Sequence, residues 1–228
     1  MTTVVIVDDD EWIRRGRGDG LKAYHDITVR ALLDPAGAMA FDFSGVDVVI
    51  VDAHDERQEW DRYPGVGVVE RIRRDRSPEE TLIVVVSGHT LDPMLRLRMA
   101  EAGADFFYAH LDLPTPESLA DAIRHPDRSR RTDLLDRTAL ASLGLHPWSR
   151  PNAALRWTED AGAEGLFTAE ASQKSAGGSR RAMTRARNEV ARRAHLEPSL
   201  GDRSRRPGDV TWRDVARFVN RALGRPGR

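Results

Sequence analysis

The stretch VVIVDDDE, residues 4–11, decides how the first half of the chain is read. Val4, Val5, Ile6 and Val7 form a continuous and largely β-branched apolar run, the pattern of a strand buried on both faces of a parallel sheet. The run stops at three consecutive carboxylates, Asp8, Asp9 and Asp10. Carboxylates crowded at a strand end repel one another unless a partner offsets the repulsion, and a hard cation such as Mg²⁺ is the usual one. A plainer account has one Asp capping the next helix while the others face water.

Outward from residues 4–11, apolar runs recur at the spacing of βα units. An Arg-rich helical stretch to about Tyr24 follows the first strand. ITVRALL (27–33) reads as the second strand and AGAMAFDF (36–43) as a short helix. VDVVIVD (46–52) is the third strand, followed by a helix from about Gly65 to Arg74 with Val68, Val69 and Ile72 on one face. TLIVVVSG (81–88) is the fourth strand, MLRLRMAEAG (94–103) the next helix, and ADFFYAH (104–110) the fifth strand. PESLADAIR (116–124) closes the series, with Leu119, Ala122 and Ile123 at helical spacing. Strand alternating with helix over this length predicts an α/β fold: a doubly wound, five-stranded parallel sheet with helices on both faces. Ligands of such sheets sit outside the carboxyl ends of the strands.

Strand one ends in Asp8 and Asp9, strand three in Asp52, and strand four in Ser87. Packing alone does not account for polar residues from distant segments converging on one edge. Here the chain resembles the receiver domain of bacterial two-component response regulators, a CheY-like (flavodoxin-like) fold. The resemblance rests on VVIVDDDE, DVVIVDA, VVVSGHT and AGADFF, in the family's order, and covers roughly residues 1–126. It implies that Asp8 and Asp9, with Asp52, hold Mg²⁺, and that Asp52 accepts a phosphoryl group from a sensor kinase. It implies further that Ser87 hydrogen-bonds the phosphoryl oxygen and that Phe107 is an aromatic switch. The chemistry is coherent, since a carboxylate can attack phosphorus while the metal neutralises charge on the transferred oxygens. Asp10 is then a helix-start residue.

Two departures stand out. The family's Lys at the end of strand five is His110 here. An imidazole donates a hydrogen bond but, unlike an ammonium, carries no permanent charge at neutral pH. Between Asp52 and Pro64-Gly65 stands AHDERQEWDRY (53–63), about eight residues longer than the family pattern. This acidic loop offers Trp60 and Tyr63 to cover something apolar. The alternative to phosphorylation is a receiver that works through a ligand, a protein partner or a constitutive dimer. A haloacid-dehalogenase-like phosphatase built on Asp8 and Asp10 is a third reading, but it leaves Asp52 without a role.

The chain has no cysteine, which excludes disulfides and thiolate metal sites. No leader or membrane-spanning run is evident, so a soluble, cytoplasmic protein is expected. The formal charge of −1 hides a polarity. Residues 1–126 hold 14 basic against 24 acidic residues, a balance of −10, whereas residues 127–228 hold 21 against 12, or +9. An acidic first half joined to a basic second half suggests a sensing domain coupled to one that binds a polyanion.

Residues 127–137 read as a linker and 138–228 as an all-helical output domain. FTAEASQKSAGGSRRAMTRARNEVARRA (167–194) reads as a short helix, a Gly177-Gly178 turn and a longer cationic helix capped by Ser179. The order resembles a helix-turn-helix DNA-binding unit. Arg181, Thr184, Arg185 and Asn188 are candidates for base edges, and Arg180 and Arg192 for phosphates. Without DNA the same helix is an ordinary solvated Arg-rich surface. DVTWRDVARFVNRALG (209–224) reads as a final amphipathic helix, with Trp212, Val215, Phe218, Val219 and Leu223 apolar. The expectation is a non-enzymatic transcription regulator that binds double-stranded DNA as a homodimer. The runner-up is a phosphorylation-independent receiver that binds a protein partner.

Overall fold

Four of the five strands draw on Val, Ile and Thr, and the fifth is aromatic, FFYA, both residue types that suit a pleated, buried strand. The computed structural model describes residues 1–53, 63–88 and 93–132, together with Asn188, Ala191, Arg192, Leu196, Val210, Val215 and Phe218. The strands are β1 (Thr2–Val7), β2 (Ile27–Leu33), β3 (Val48–Val51), β4 (Leu82–Ser87) and β5 (Phe106–Ala109). Between and after them run α1 (Glu11–Leu21), α2 (Pro35–Ala40), α3 (Pro64–Asp75), α4 (Pro93–Ala102) and α5 (Pro116–Arg124). All four strand pairings are parallel, in the order β2-β1-β3-β4-β5. This is the flavodoxin-like, doubly wound order, with its switch point between β1 and β3.

Side chains alternate cleanly between two cores. Val5, Val7, Val49, Val51, Ile83, Val85 and Phe107 pack with Val69 and Ile72 of α3 and Leu95 and Met99 of α4. Val4, Ile6, Val48, Ile50, Val84, Phe106 and Tyr108 pack with Leu21 of α1 and Leu119 and Ile123 of α5. The period of two along each strand sends neighbours to opposite faces, and helices cover both, so the runs read as continuously apolar. Burying a Val or Ile side chain this way stabilises by about 1.5–3 kcal/mol against leaving it in water.

Local chemistry sets the ends. Asp10 caps α1, its carboxylate accepting from the Trp12 and Ile13 amides at 2.8 and 3.2 Å. Thr115 and Ser118 form a reciprocal cap at the start of α5. Gly103 terminates α4 at φ +105°, a region L side chains rarely adopt. β2 carries one extra residue against β1, where Val4 pairs with Val29 but Val5 with Ala31. The skipped Arg30 turns outward and lies 5.3 Å over the Phe41 ring.

Several sequence boundaries shift. α1 stops at Leu21 rather than near Tyr24, and α2 stops at Ala40. Phe41 and Phe43 leave the helix and meet edge to face at 5.1 Å. β5 begins at Phe106 rather than Ala104, because the Asp105 carboxylate accepts from the Ile83 amide and from Arg73 of α3. Residues of the expected linker hold to β5. Arg131 bridges Phe106, and the buried Thr132 hydroxyl donates to the Ala104 carbonyl.

The chain divides into two compact units, Met1–Leu134 and Leu135–Arg228. In the second, Asn188, Ala191, Arg192, Val215 and Phe218 are helical. Ala191, Leu196, Val210, Val215 and Phe218 are buried, and the Leu196 amide donates to the Ala191 carbonyl at 2.9 Å. No helix among the described residues is long and apolar enough to cross a membrane.

Candidate functional site

Strand register builds the acidic pocket. Val7 pairs with Val51, so the next residues, Asp8 and Asp52, emerge side by side at the switch between β1 and β3. Their amides continue the ladder: Asp52 donates to the Val7 carbonyl at 2.8 Å, and Asp8 to the Leu33 carbonyl at 3.1 Å. Val51 in turn pairs with Val85, which brings Ser87 to the same edge, fully buried. Ser87 pairs with Ala109, so His110 follows at once, in a single 3₁₀ turn over His110–Asp112. Carboxylate oxygens of Asp8, Asp9 and Asp52 lie within 4.8 Å of one another.

Two arginines that the sequence reading passed over complete the pocket. Arg14 and Arg17 are three residues apart on α1 and so share one face. Arg14 donates to the Asp8 carbonyl oxygen. The Arg17 Nη1 donates to the Asp8 Oδ2 at 2.8 Å, and the pair is nearly withdrawn from solvent, with side-chain exposures of 15% and 2%. The other Asp8 oxygen, Oδ1, accepts from the Asp10 amide at 2.9 Å. Small residues let α1 come this close to its neighbours. A Cβ on Gly18 would stand 2.8 Å from a Leu32 methyl, and one on Gly20 would stand 2.5 Å from the Pro116 ring.

The electrostatics follow from this crowding. Burial, then the charge on Asp52, pushes the Asp8 carboxyl up to about 6, against the opposing pull of Arg17 and the Asp10 amide. Burial lowers the Arg17 guanidinium, while Asp8 and Asp52 together raise it. The imidazole Nε2 of His110 stands 3.7 Å from the Asp52 Oδ1, too far for a hydrogen bond. That nitrogen is buried and makes no hydrogen bond among the described residues.

The acidic-site and switch residues assigned from sequence therefore sit at one edge or just beneath it. Asp8, Asp9, Asp52, Ser87 and His110 occupy the strand ends, and Phe107 is buried in the core on the α3–α4 side. The converging acids among the described residues are Asp8, Asp9 and Asp52, while Asp10 uses its carboxylate to cap α1. Tyr63 is a correction. Expected in the acidic loop, where it could cover something apolar, it is buried with Ala53 in the main core, because the start of α3 lies against that core, with Gly65 and Val66 buried beside it. Both ends of the acidic loop are thus held against the core. Gly65 is the pinch: a Cβ there would stand 2.3 Å from the Asp52 carbonyl oxygen. Residues 54–62, including Trp60, lie outside the described residues.

On the candidate DNA-binding helix, Asn188 and Arg192 are exposed one turn apart, with Ala191 buried between them. Arg180, Arg181, Thr184 and Arg185 lie outside the described residues.

The donor set fits a hard divalent cation. Three carboxylates supply oxygens from two strand ends, the ligand type that Mg²⁺ selects.

No protein-family profile and no curated protein matches this sequence. Among solved structures the chain is similar to RcsB from Salmonella enterica serovar Typhimurium bound to promoter rprA with phosphomimetic BeF₃⁻. The identity is 17%, 87% of this chain and 95% of that one are covered, and the TM-score is 0.47. It is also similar to a LuxR family DNA-binding response regulator from Silicibacter pomeroyi, at 27% identity over 54% of this chain and 89% of that one, TM-score 0.38. A third is the receiver domain of the NarL response regulator from Mycobacterium tuberculosis, at 19% identity over 54% and 97%, TM-score 0.43.

Proposed function

We propose that this protein is an atypical response regulator, with a receiver-like first unit as input and a second unit that binds double-stranded DNA as output. The observation that carries the input half is the strand register, which sets Asp52 beside Asp8 and Asp9 at the switch point and within 3.7 Å of His110. Asp52 is the phosphoacceptor: a carboxylate oxygen attacks phosphorus as the bond to the donor's leaving group breaks. Asp8, Asp9 and Asp52 hold Mg²⁺, which when bound neutralises charge on the transferred oxygens. Ser87 and His110 donate hydrogen bonds to the phosphoryl group, and Phe107 relays the change to the α4 face.

The output half rests on the charge balance of +9 in residues 127–228 and on the exposed Asn188 and Arg192. Arg181, Thr184, Arg185 and Asn188 read bases, Arg180 and Arg192 hold phosphates, and a homodimer spans two half-sites about one helical turn apart. A second reading keeps the DNA-binding output but dispenses with phosphorylation. The imidazole that replaces an ammonium, and the arginine already paired with Asp8, both favour it.

The test is a titration of the full chain, with Asp52→Asn, Arg185→Ala and Arg192→Ala, against genomically captured and scrambled DNA at two salt concentrations. Loss of a base contact at Arg185 costs about 1–3 kcal/mol and relaxes specificity at one position. Loss of a phosphate contact at Arg192 weakens all sequences alike and flattens the salt dependence. If captured DNA is not preferred and both Arg variants lose affinity equally, the helix is merely cationic and the regulator reading fails. An Asp52→Asn protein that binds and responds like wild type favours the phosphorylation-independent reading.

A further inference from the structure

We infer that Arg17 is a tethered counter-cation that competes with divalent metal for Asp8. On this inference the pocket is partly charge-compensated without metal, and Mg²⁺ enters only by displacing the guanidinium. The inference rests on the reading that Asp8, Asp9 and Asp52 take a divalent cation, and it says what limits that binding in this chain.

Both oxygens of Asp8 already serve internal donors. Oδ1 accepts from the Asp10 amide at 2.9 Å, and Oδ2 accepts from Arg17 at 2.8 Å. The Asp10 amide is fixed by the turn into α1, because the same residue caps that helix. The oxygen open to exchange is therefore Oδ2, the one that Arg17 holds. An ion at about 2.1 Å from this oxygen would stand a few ångströms from the guanidinium, in a site where little water screens the repulsion. The two cations exclude each other. Arg17 also interacts with Asp52, so it offsets charge on both strand ends as a bound metal would.

The exchange is sterically open. Arg17 hangs from α1 on a flexible stem and retains some solvent exposure, so its head can swing outward while the stem stays packed. Arg14 holds the Asp8 carbonyl rather than its carboxylate and does not compete. A guanidinium also presents N–H donors in a fixed fork and is charged at every working pH, which makes it a lasting partner for a carboxylate.

The experiment measures Mg²⁺ and Mn²⁺ affinity by calorimetry for the full-length wild-type and Arg17→Gln proteins. In parallel, the Arg17 side-chain NMR signal of ¹⁵N-labelled wild type is followed during the same Mg²⁺ titration. Gln is neutral and polar, so the variant removes the competing charge while keeping a group that can hydrogen-bond. The expected result is at least tenfold tighter binding by Arg17→Gln, with an Arg17 signal in wild type that moves to a solvent-like position as metal saturates. Wild-type and variant affinities within twofold of each other would overturn the inference while leaving the metal site intact. An Arg17 signal unchanged at saturation would overturn it without any variant having to fold. If Arg17→Gln folds and binds neither metal, the metal reading itself fails, and the inference with it.

Discussion

Replacing Asp8 by Asn should stabilise the metal-free protein at neutral pH, although it removes one half of an ion pair. The Asp8 carboxyl titrates at about 6 rather than at its ordinary 3.8, with burial the largest cause and the Asp52 charge next. A folded-state pKa above the unfolded one means that the folded protein binds this proton more tightly. Its carboxylate therefore costs stability at high pH, and the cost disappears as pH falls through about 6 to below 3.8. At about 1.36 kcal/mol per pKa unit, the penalty is about 3 kcal/mol at pH 7 and about half a kcal/mol at pH 4. Asparagine resembles the protonated acid. It keeps an oxygen for the Asp10 amide and ends the repulsion with Asp52. The favourable pull of Arg17 is already included in the net shift, so losing it does not reverse the sign. We expect Asp8→Asn to raise the unfolding free energy from urea titration in EDTA at pH 7 by about 1–3 kcal/mol, and the gain to shrink to near zero at pH 4. A variant less stable than wild type at pH 7, or a gain independent of pH, would refute the reasoning. It would mean that the Asp8–Arg17 pair stabilises more than the buried, crowded carboxylate costs.

Three other outcomes follow from the geometry. His110→Lys should raise labelling of Asp52 by a small phosphodonor at neutral pH by about ten- to hundredfold, since a charge-assisted hydrogen bond is worth about 1.5–3 kcal/mol; gel-resolved phosphoprotein measures it, and equal labelling would remove His110 as the limit. Gly65→Ala should lower stability by about 1–3 kcal/mol in urea titration, because its Cβ would meet the Asp52 carbonyl at 2.3 Å and backbone must move; an unchanged midpoint would show that α3 can retreat. Arg73→Ala should cost about 3 kcal/mol in the same assay. Its guanidinium joins the Gly103 and Thr81 carbonyls, at 2.8 Å each, to the Asp105 carboxylate, which burial already pushes upward. A loss under about 1 kcal/mol would mean that water replaces these bonds.

The strands and the edge on which the acidic site stands were legible in residues 1–126 for a simple reason. A strand covered on both faces must be apolar at every position, so VVIV, VVIV and LIVVV announce themselves and their ends locate the carboxyl edge. Asp8, Asp52, Ser87 and His110 each follow such a run or close it, and a parallel sheet with matched strand ends brings them together without further information. Asp10 was legible as a cap, since Asp before a helix satisfies amides that the helix cannot. Other features depend on what folding places opposite a residue. Arg14 and Arg17 look like any solvated arginines on a polar helix. Only the glycines that let α1 settle on Leu32 and Pro116, and the β1 end beneath it, turn Arg17 into a partner of Asp8. Tyr63 closes a polar, acidic stretch of sequence, yet the start of α3 lies against the core and buries it there. Arg30 sits in an unbroken strand pattern, and its outward turn comes from a pairing slip that only the neighbouring strand imposes. Periodicity records how each segment meets water and the core, a local property written residue by residue. Which charge meets which across the fold is a property of pairs distant in sequence, and it exists only once the sheet has set their distance.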